Sequence, residues 1–423
     1  VQAVRFTRIN AGGTGLSSPF NHPLSEDFIE PTVEANSAIL PIPGMGYTDN
    51  FGLDDWCFGI GTMAPVATLL RWPSTVADPR QPGRRIAAPQ RYSILDMEGS
   101  FFGKLSVGAA WRAMEGLHLG AGLGLVLSRF SIYSATSLHE ASFGLGSPES
   151  YSADAYVRVR TPFFLDPVAH AGLIWGFGPV RIGASVETPF IIEGDAKIKM
   201  DLSDARRLNP GLLNDVVVNG ETAKMVVKFP WVARGGLEIR PVDLLRLELS
   251  LTWEQWSAQQ EIRSTPMGVG ISNLPLIGWG GAEYTVSEMV MPRRMKDTYA
   301  VGLGAEYQLS EPLILRLGAM YESGAFEEAD LTVMTPDTDK VLIGGGIGFA
   351  LGQTGWIVDL SAGGLYQPDT TVTNSRIYRP QAIRPVLSAP VSATYQPGDP
   401  VPLGNGRYQI RTWFAALGFR YVL

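Results

Sequence analysis

Leu245, Leu247, Leu249, Leu251 and Trp253 alternate with Arg246, Glu248, Ser250, Thr252 and Glu254. A two-residue period puts successive side chains on opposite faces of an extended chain, so this stretch reads as a strand with one apolar and one polar side. The pattern returns at Leu117, Leu119, Ala121, Leu123, Leu125 and Leu127, at Tyr299, Val301, Leu303, Ala305 and Tyr307, and at Leu313, Leu315, Leu317, Ala319 and Tyr321. These runs approach the roughly 9–11 residues that carry a tilted strand across a bilayer. Their apolar faces end repeatedly in an aromatic, as at Trp111, Trp253, Tyr307, Tyr321, Trp356 and Tyr366. Such rings settle at the headgroup level, half in lipid and half in water. A soluble β-sandwich also alternates, but length and aromatic ends together favour an all-β transmembrane barrel, antiparallel and up-and-down.

Composition excludes most other classes. Only 18% of residues are charged, below the roughly 25% of a soluble domain. Lys and Arg number 34 against 41 Asp and Glu, net −7, and the absence of basic runs argues against nucleic acid as a partner. The single cysteine, Cys57, precludes a disulfide framework within the chain and a four-cysteine zinc site. No stretch approaches the roughly 18 uncharged apolar residues of a membrane-spanning helix. No basic, apolar leader follows Val1, so an export signal is expected to have been removed already.

Pattern and turn residues divide the chain into about fourteen strands, at 1–10, 33–47, 55–69, 91–111, 117–133, 154–177, 180–200, 221–240, 244–264, 288–309, 313–324, 339–352, 355–372 and 407–423. Short turns, such as Gly178–Pro179 and Gln353–Thr354, alternate with long loops at 11–32, 70–90, 134–153, 201–220, 265–287, 325–338 and 373–406. This alternation fits short periplasmic turns and long extracellular loops. An even count brings both chain ends to the periplasmic side. Residues 1–423 form one barrel domain without linkers. The last strand, with Trp413, Ala415, Leu417, Phe419, Tyr421 and Leu423 on one face, has the aromatic lipid face of a closing strand.

Catalytic chemistry is sparse. The four histidines, His22, His118, His139 and His170, show no metal-ligand spacing, and no clustered carboxylates accompany them. Neither a metal, a cofactor nor enzyme activity is expected. The glycine runs Gly120–Gly124 and Gly344–Gly348 look like phosphate loops, but their glycines fall on alternate positions inside strands. They are expected to leave the lumen wall bare, with room for a plug or passage. Cys57 is expected to be a buried or lipid-facing thiol. Lumen charges of both signs, among them Lys104, Arg181, Glu187, Arg234, Glu238, Arg246, Glu248, Glu306, Arg316, Glu322 and Asp359, are expected to pair.

Several extracellular loops are unusually apolar. Leu208, Leu212, Leu213, Val216 and Val217 lie close together, with a short amphipathic helix expected after Pro210. Leu138, Phe143 and Leu145 lie in another loop. A contiguous apolar patch there would bind a greasy molecule or a protein; loops packing on one another to cap the barrel is the alternative. In the third strand Gly59, Gly61 and Pro65 interrupt the pattern. Proline cannot donate to a ladder, so this strand is expected to bulge or kink, opening a gap, unless Pro65 sits at the rim.

Two stretches carry a family resemblance. KFPWVARGGLEIRP followed by LRLELSLTWEQWSAQQEI has an early Pro, a Pro-containing turn and a Trp-x-x-Trp end. KDTYAVGLGAEYQL followed by LRLGAMYESG has an Asp-x-Tyr start and an Arg-x-Gly centre. Both hairpins, with the strand count and apolar loops, resemble the FadL family of outer-membrane transporters for long-chain fatty acids and other hydrophobic compounds. The resemblance covers roughly residues 30–423. It implies residence in the outer membrane of a Gram-negative bacterium, among outer-membrane lipid and lipopolysaccharide. It implies capture of a hydrophobic small molecule between the 134–153 and 201–220 loops. Release would be lateral, through a wall gap beside Gly61 and Pro65. The family's N-terminal hatch, with its Asn-Pro-Ala-like motif, is not expected in this chain, since Val1 enters the first strand at once. A plugged barrel that binds a protein partner, as in a branch of the family that assists secretion, is the alternative.

Overall fold

The computed structural model describes residues 2–8, 33, 35–37, 40–67, 70–78, 81–137, 154–276, 279–286, 288–334, 336–352, 354–377 and 403–422. The alternating stretches become the wall. Its strands are β1 (Gln2–Arg8), β2 (Leu40–Ile42 and Gly44–Asp49, either side of Pro43), β3 (Trp56–Ala67), β4 (Phe101–Met114) and β5 (Leu117–Arg129). There follow β6 (Phe164–Phe177), β7 (Val180–Glu187), β8 (Val232–Val242), β9 (Leu245–Glu254) and β10 (Thr298–Ser310). The last four are β11 (Leu313–Glu322), β12 (Lys340–Ala350), β13 (Trp356–Tyr366) and β14 (Arg411–Tyr421). Each pairs antiparallel with its chain neighbour, and β1 also pairs with β14. The two halves of β2 pair with β1 and β3 respectively. The sheet thereby returns to its own start, with about fourteen wall positions, and a closed wall leaves no edge unpaired in lipid.

The outward faces are apolar and exposed: Leu119, Leu123, Leu125, Leu303, Leu317, Ile343 and Phe419 among them. On β13, Trp356 and Tyr366 both point outward at opposite ends. Ten residues at about 3.3 Å each, tilted by about 40°, set these rings about 25 Å apart in height, the depth of an outer-membrane apolar band. Trp111, Tyr307 and Tyr321 are exposed on the same girdles.

At the extracellular end several wall strands run on past the apolar band. Ser131–Ser137, Asp154–Arg160, Ile191–Asp201, Thr222–Lys228, Glu261–Met267 and Met289–Pro292 form a separate six-stranded antiparallel sheet. Pro162, Pro189 and Pro230 stand at three of the junctions between this sheet and the wall. A residue without an N–H cannot continue the ladder, so the strands break and re-form there. The inner face of this sheet (Val157, Val159, Ile192, Ile198, Met225, Val227 and Ile262) is buried. It packs on Trp72, Ile94 and Met97 from the segment before β4, and on Phe326, Leu331, Val333 and Tyr408 from later loops. The hydrophobic core of the protein is thus a cap over the extracellular mouth.

Two expectations change and a third is met. The fourth strand begins at Phe101 rather than near 91, because residues 89–92 form a 3-10 turn whose Arg91 is buried against Asp154, Nε to Oδ2 at 2.5 Å. The 265–287 loop contains the strands Gly270–Leu276 and Trp279–Thr285, paired as a hairpin. The 201–220 loop holds two helical turns, Ser203–Leu208 and Pro210–Leu213, the second where Pro210 predicts it.

Candidate functional site: the lumen and its wall

Lumen-facing side chains divide the barrel in two. From β7 round to β14, arginines and carboxylates lock neighbouring strands together. Glu238 receives Arg181 at 3.8 Å, Arg240 at 2.9 Å and Arg246 at 4.0 Å. Arg246 also lies 3.7 Å from Glu306, which Arg316 holds at 2.6 Å. Arg316 crosses over Gly348 to Asp359, at 2.6 Å, and Asp359 takes Arg420 at 2.9 Å. Glu322 is held by Lys340 at 2.8 Å. The expected pairing of lumen charges is present as a belt spanning this half of the wall.

The rest of the lumen, from β2 to β6 with Ser185–Glu187 of β7 and Arg234 of β8, is lined largely by small residues around a cavity of about 590 Å³. Gly46, Gly59, Gly61, Gly108 and Gly172 line it together with Lys104, His170, Glu187 and Arg234. Lys104 Nζ meets Glu187 Oε2 at 2.8 Å. Arg234 is exposed to the lumen without an ion-pair partner among the described residues. Cys57 is exposed and borders this cavity, paired across to Ala110. The expectation of a buried or lipid-facing thiol is corrected: Trp56, Phe58 and Ile60 take the lipid side, and the alternation turns Cys57 inward.

The glycine runs are not bare wall. A Cβ on Gly122 would lie 2.3 Å from His170 Nε2, one on Gly124 2.9 Å from Ser106 Oγ, and one on Gly348 2.9 Å from Arg316 Nη1. One on Gly363 would lie 2.5 Å from the Phe414 ring, which also approaches Gly344. These glycines make room for lumenal side chains laid flat on the wall, so part of the space expected for a plug or passage is already filled. Alternation alone could not show this, because the filling side chains come from other strands.

Gly59, Gly61 and Pro65 all lie on β3. The β3–β4 register shifts between Met63 and Val66, so Pro65 sits in a bulge, as its missing N–H requires. On the other side, the β2–β3 ladder runs from Asp49↔Phe58 up to Gly44↔Met63 and ends. Above that rung Leu40–Ile42 pair with β1 and Val66–Ala67 with β4. Among the described residues no backbone pair links Leu40–Ile42 to Val66–Ala67, with Pro43 and Pro65 at the lower side of the break; the two chains pair again above it, at Ser37↔Leu70 and Asn36↔Arg71. Pro43 is the member that sequence reasoning missed; its signal, a proline inside a strand-like run, was of the same kind as Pro65.

The loop candidates disperse. Leu213 and Val216 are fully buried in the cap core, Leu208 is half-buried and Val217 is exposed. Leu212 lies on the second helical turn. Leu138, Phe143 and Leu145 lie outside the described residues. In the cap, Tyr92, Ala135, Val157, Met291, Met334 and Leu403 line a small apolar cleft with one cation, Arg293. Arg293 lies over the Phe326 ring, 4.9 Å from its centroid, and burial pushes its pKa down to about 10. No group of three metal-ligating side chains occurs among the described residues.

A closed antiparallel wall with an apolar band, aromatic girdles and a polar lumen defines an outer-membrane β-barrel. The family model for outer membrane protein transport proteins (OMPP1/FadL/TodX) matches residues 186–391. The fold is similar to that of a Pseudomonas aeruginosa FadL homologue, with 17% identity and TM-score 0.68 over 99% of this chain and 89% of that one. It is also similar to the toluene transporter TodX of P. putida (12% identity, TM-score 0.60, 100% and 88% covered). A third similar structure is the toluene transporter TbuX of Ralstonia pickettii (14% identity, TM-score 0.51, 100% and 89% covered). No curated protein matches in sequence. The chain thus has the fold of outer-membrane barrels of FadL/TodX type, and the family model matches just under half of its length.

Proposed function

We propose that this barrel takes up hydrophobic compounds, with long-chain fatty acids as the preferred class, and releases them sideways through the wall between β2 and β3. The observation that carries the reading is the break in pairing between the β2 and β3 chains, from Gly44↔Met63 up to Ser37↔Leu70, in the same part of the wall as the 590 Å³ cavity. An apolar chain loses about 0.8 kcal/mol per methylene on leaving lipid-like surroundings for water, so a sideways route into the bilayer avoids that cost at the periplasmic mouth. The charged belt on the opposite half makes that half a poor path for an alkyl chain. Lys104 and Arg234 give the cavity cations that suit a carboxylate head, which favours fatty acids over neutral hydrocarbons such as toluene. Capture would take place in the apolar cap, with Val217 and Leu208 the accessible members of the 201–220 segment.

The test is uptake of a fluorescent long-chain fatty acid and of toluene into proteoliposomes. Fatty-acid uptake that falls in Pro65→Val supports lateral release, and uptake that falls in Lys104→Gln/Arg234→Gln supports the carboxylate reading. Toluene uptake exceeding fatty-acid uptake overturns the substrate class. No uptake of either compound overturns transport and leaves the reading of a plugged barrel with a protein partner.

A further inference from the structure

The outer face of the cap, just above the apolar band, carries cations that the transport reading does not use. Phe163 and Leu165 are 55% and 66% exposed, at the upper edge of β6, on its lipid side. Arg129, at the upper end of β5, lies over the Phe163 ring, 5.0 Å from its centroid, and Phe101 meets the same ring edge-on at 6.5 Å. The rings mark the lipid boundary, so Arg129 stands at headgroup height. Three residues further up from Phe163, Arg160 is the direct cross-strand partner of Lys197, and Arg158 of Lys199. Their strand neighbours Val157, Val159, Ile198 and Ala196 fill the inner core, so the basic side chains occupy the outer face.

Like charges placed directly opposite each other destabilise a sheet, and this ladder places two such pairs in succession. Arg158 is neutralised by Asp96, with both guanidinium nitrogens at 2.9 Å from its carboxylate. Arg160, Lys197 and Arg129 have no ion-pair partner among the described residues. The Nε atoms of Arg129 and Arg160 are buried and make no hydrogen bond. Glu98, the nearest acid in sequence to Gly99, is taken by Arg71 at 2.5 Å. Gly99 has φ +87°, and a Cβ there would lie 2.8 Å from Arg160 Nη2, so the glycine admits the guanidinium against the backbone. The acids sharing this face are Glu193 and Asp195, further down their strand, and Asp201 at its upper end; Asp195 is opposite Lys224, and Asp201 accepts from Ser203 N.

From this arrangement we infer that Arg129, Arg160 and Lys197 form a binding site for the phosphate groups of an outer-leaflet glycolipid. Arginine's forked donors match phosphate oxygens. The Phe101–Phe163 pair faces the acyl chains of the same molecule. Height selects the source: a lipid whose chains lie in the apolar band brings its headgroup phosphates to this level, whereas a free anion has no contact with the rings. The inference rests on the outer-membrane placement of the barrel and not on its substrate.

The experiment uses the full barrel in detergent, titrated with bisphosphorylated lipid A and with the same lipid after enzymatic dephosphorylation. Bound lipid is counted by native mass spectrometry and the unfolding temperature is followed. The variant is Arg129→Gln/Arg160→Gln/Lys197→Gln. Arg207→Gln, on an exposed helical turn, is the control for loss of charge, and Arg160→Lys retains the charge. Tighter binding of the phosphorylated lipid by tenfold or more, lost in the triple variant and kept in Arg207→Gln, supports the site. Equal binding of both lipids, or unchanged binding in the triple variant, overturns it. Inorganic phosphate or a poly-glutamate peptide competing as strongly as the lipid overturns the lipid assignment in favour of a general anion site or an acidic protein partner. Fatty-acid uptake by the triple variant, measured in parallel, reports that it is folded and is expected to be unchanged.

Discussion

Gly44 and Met63 form the last rung between the second and third wall strands. One residue beyond Gly44 is Pro43, and two beyond Met63 is Pro65. Just above the rung Leu40–Ile42 pair with β1 and Val66–Ala67 with β4, and the two chains meet again at Ser37↔Leu70 and Asn36↔Arg71. A ladder interrupted by one proline can be bridged by a bulge, and β3 and β4 do this across Pro65. Prolines on both sides of the same ladder remove a donor from each chain, and the interruption spans Leu40–Ile42 and Val66–Ala67 before the chains pair again.

Restoring donors at this place should therefore close it. Pro43→Val/Pro65→Val is expected to extend the β2–β3 ladder, raise the unfolding temperature in detergent and lower fatty-acid uptake severalfold. Hydrogen exchange of Leu40–Ile42 and Val66–Ala67 reads the ladder directly. Slower exchange with undiminished uptake would place release elsewhere.

The cap is held by a pair that lies 63 positions apart in the chain. Asp154 accepts from Arg91 Nε at 2.5 Å and from Tyr92 OH at 2.7 Å, with both charged side chains wholly buried. Removing one partner leaves an uncompensated charge, at a cost of about 3–5 kcal/mol. Asp154→Ala is expected to make the segment 70–100 protease-sensitive while the wall strands stay resistant. Equal sensitivity of wild type and variant would show that the apolar core alone holds the cap.

Gly120 and Gly122 are neighbours on one face of β5 with different surroundings. A Cβ at Gly120 meets Ala109 O at 3.6 Å, an ordinary contact, whereas one at Gly122 meets Val107 O at 2.5 Å besides the His170 ring. The backbone oxygen cannot swing aside. Gly122→Ala is expected to cost about 1–3 kcal/mol, the range for overpacking, and Gly120→Ala close to nothing, as judged from unfolding midpoints in urea. A Gly122→Ala protein as stable as wild type would mean that the wall is slack there.

The wall was legible because lipid and water read it residue by residue. Leu245 to Trp253, or Trp356 to Tyr366, declare their faces without reference to any other strand. The bulge at Pro65 was legible for a similar reason, since a missing N–H is a local property. The cap was not. Leu213 and Val216 look like surface patch residues in their own segment, and only the six-stranded sheet, built from strands scattered over 131–292, buries them. Arg91 and Asp154 are likewise unremarked in sequence, since charge pairing carries no period. The lumenal glycines misled because their space is occupied by His170, Arg316 and Phe414, from strands that pair beside them or lie one further round the wall.

Acid should loosen the last extracellular segment before the wall. Asp369 lies between Arg407 and Arg411, each at 2.9 Å, and accepts from Gln409 at 2.6 Å. The hydrogen bond from Gln409, followed by those from the two arginines, holds its carboxyl down at about 2. An unfolded aspartate titrates near 3.9. Because the folded value is the lower one, the stabilisation is fully present above pH ~4 and is lost as pH falls from about 4 through about 2. The pairing of Thr370–Val372 with Gly406–Tyr408 depends on this clasp. In limited proteolysis by pepsin, cleavage within 370–408 is expected to accelerate between pH 4 and pH 2 in the wild type. In Asp369→Asn, which accepts less strongly and carries no charge, cleavage should already be fast at pH 4 and lack this extra acceleration. A wild-type profile parallel to that of the variant would remove Asp369 as the residue that fastens the two strands.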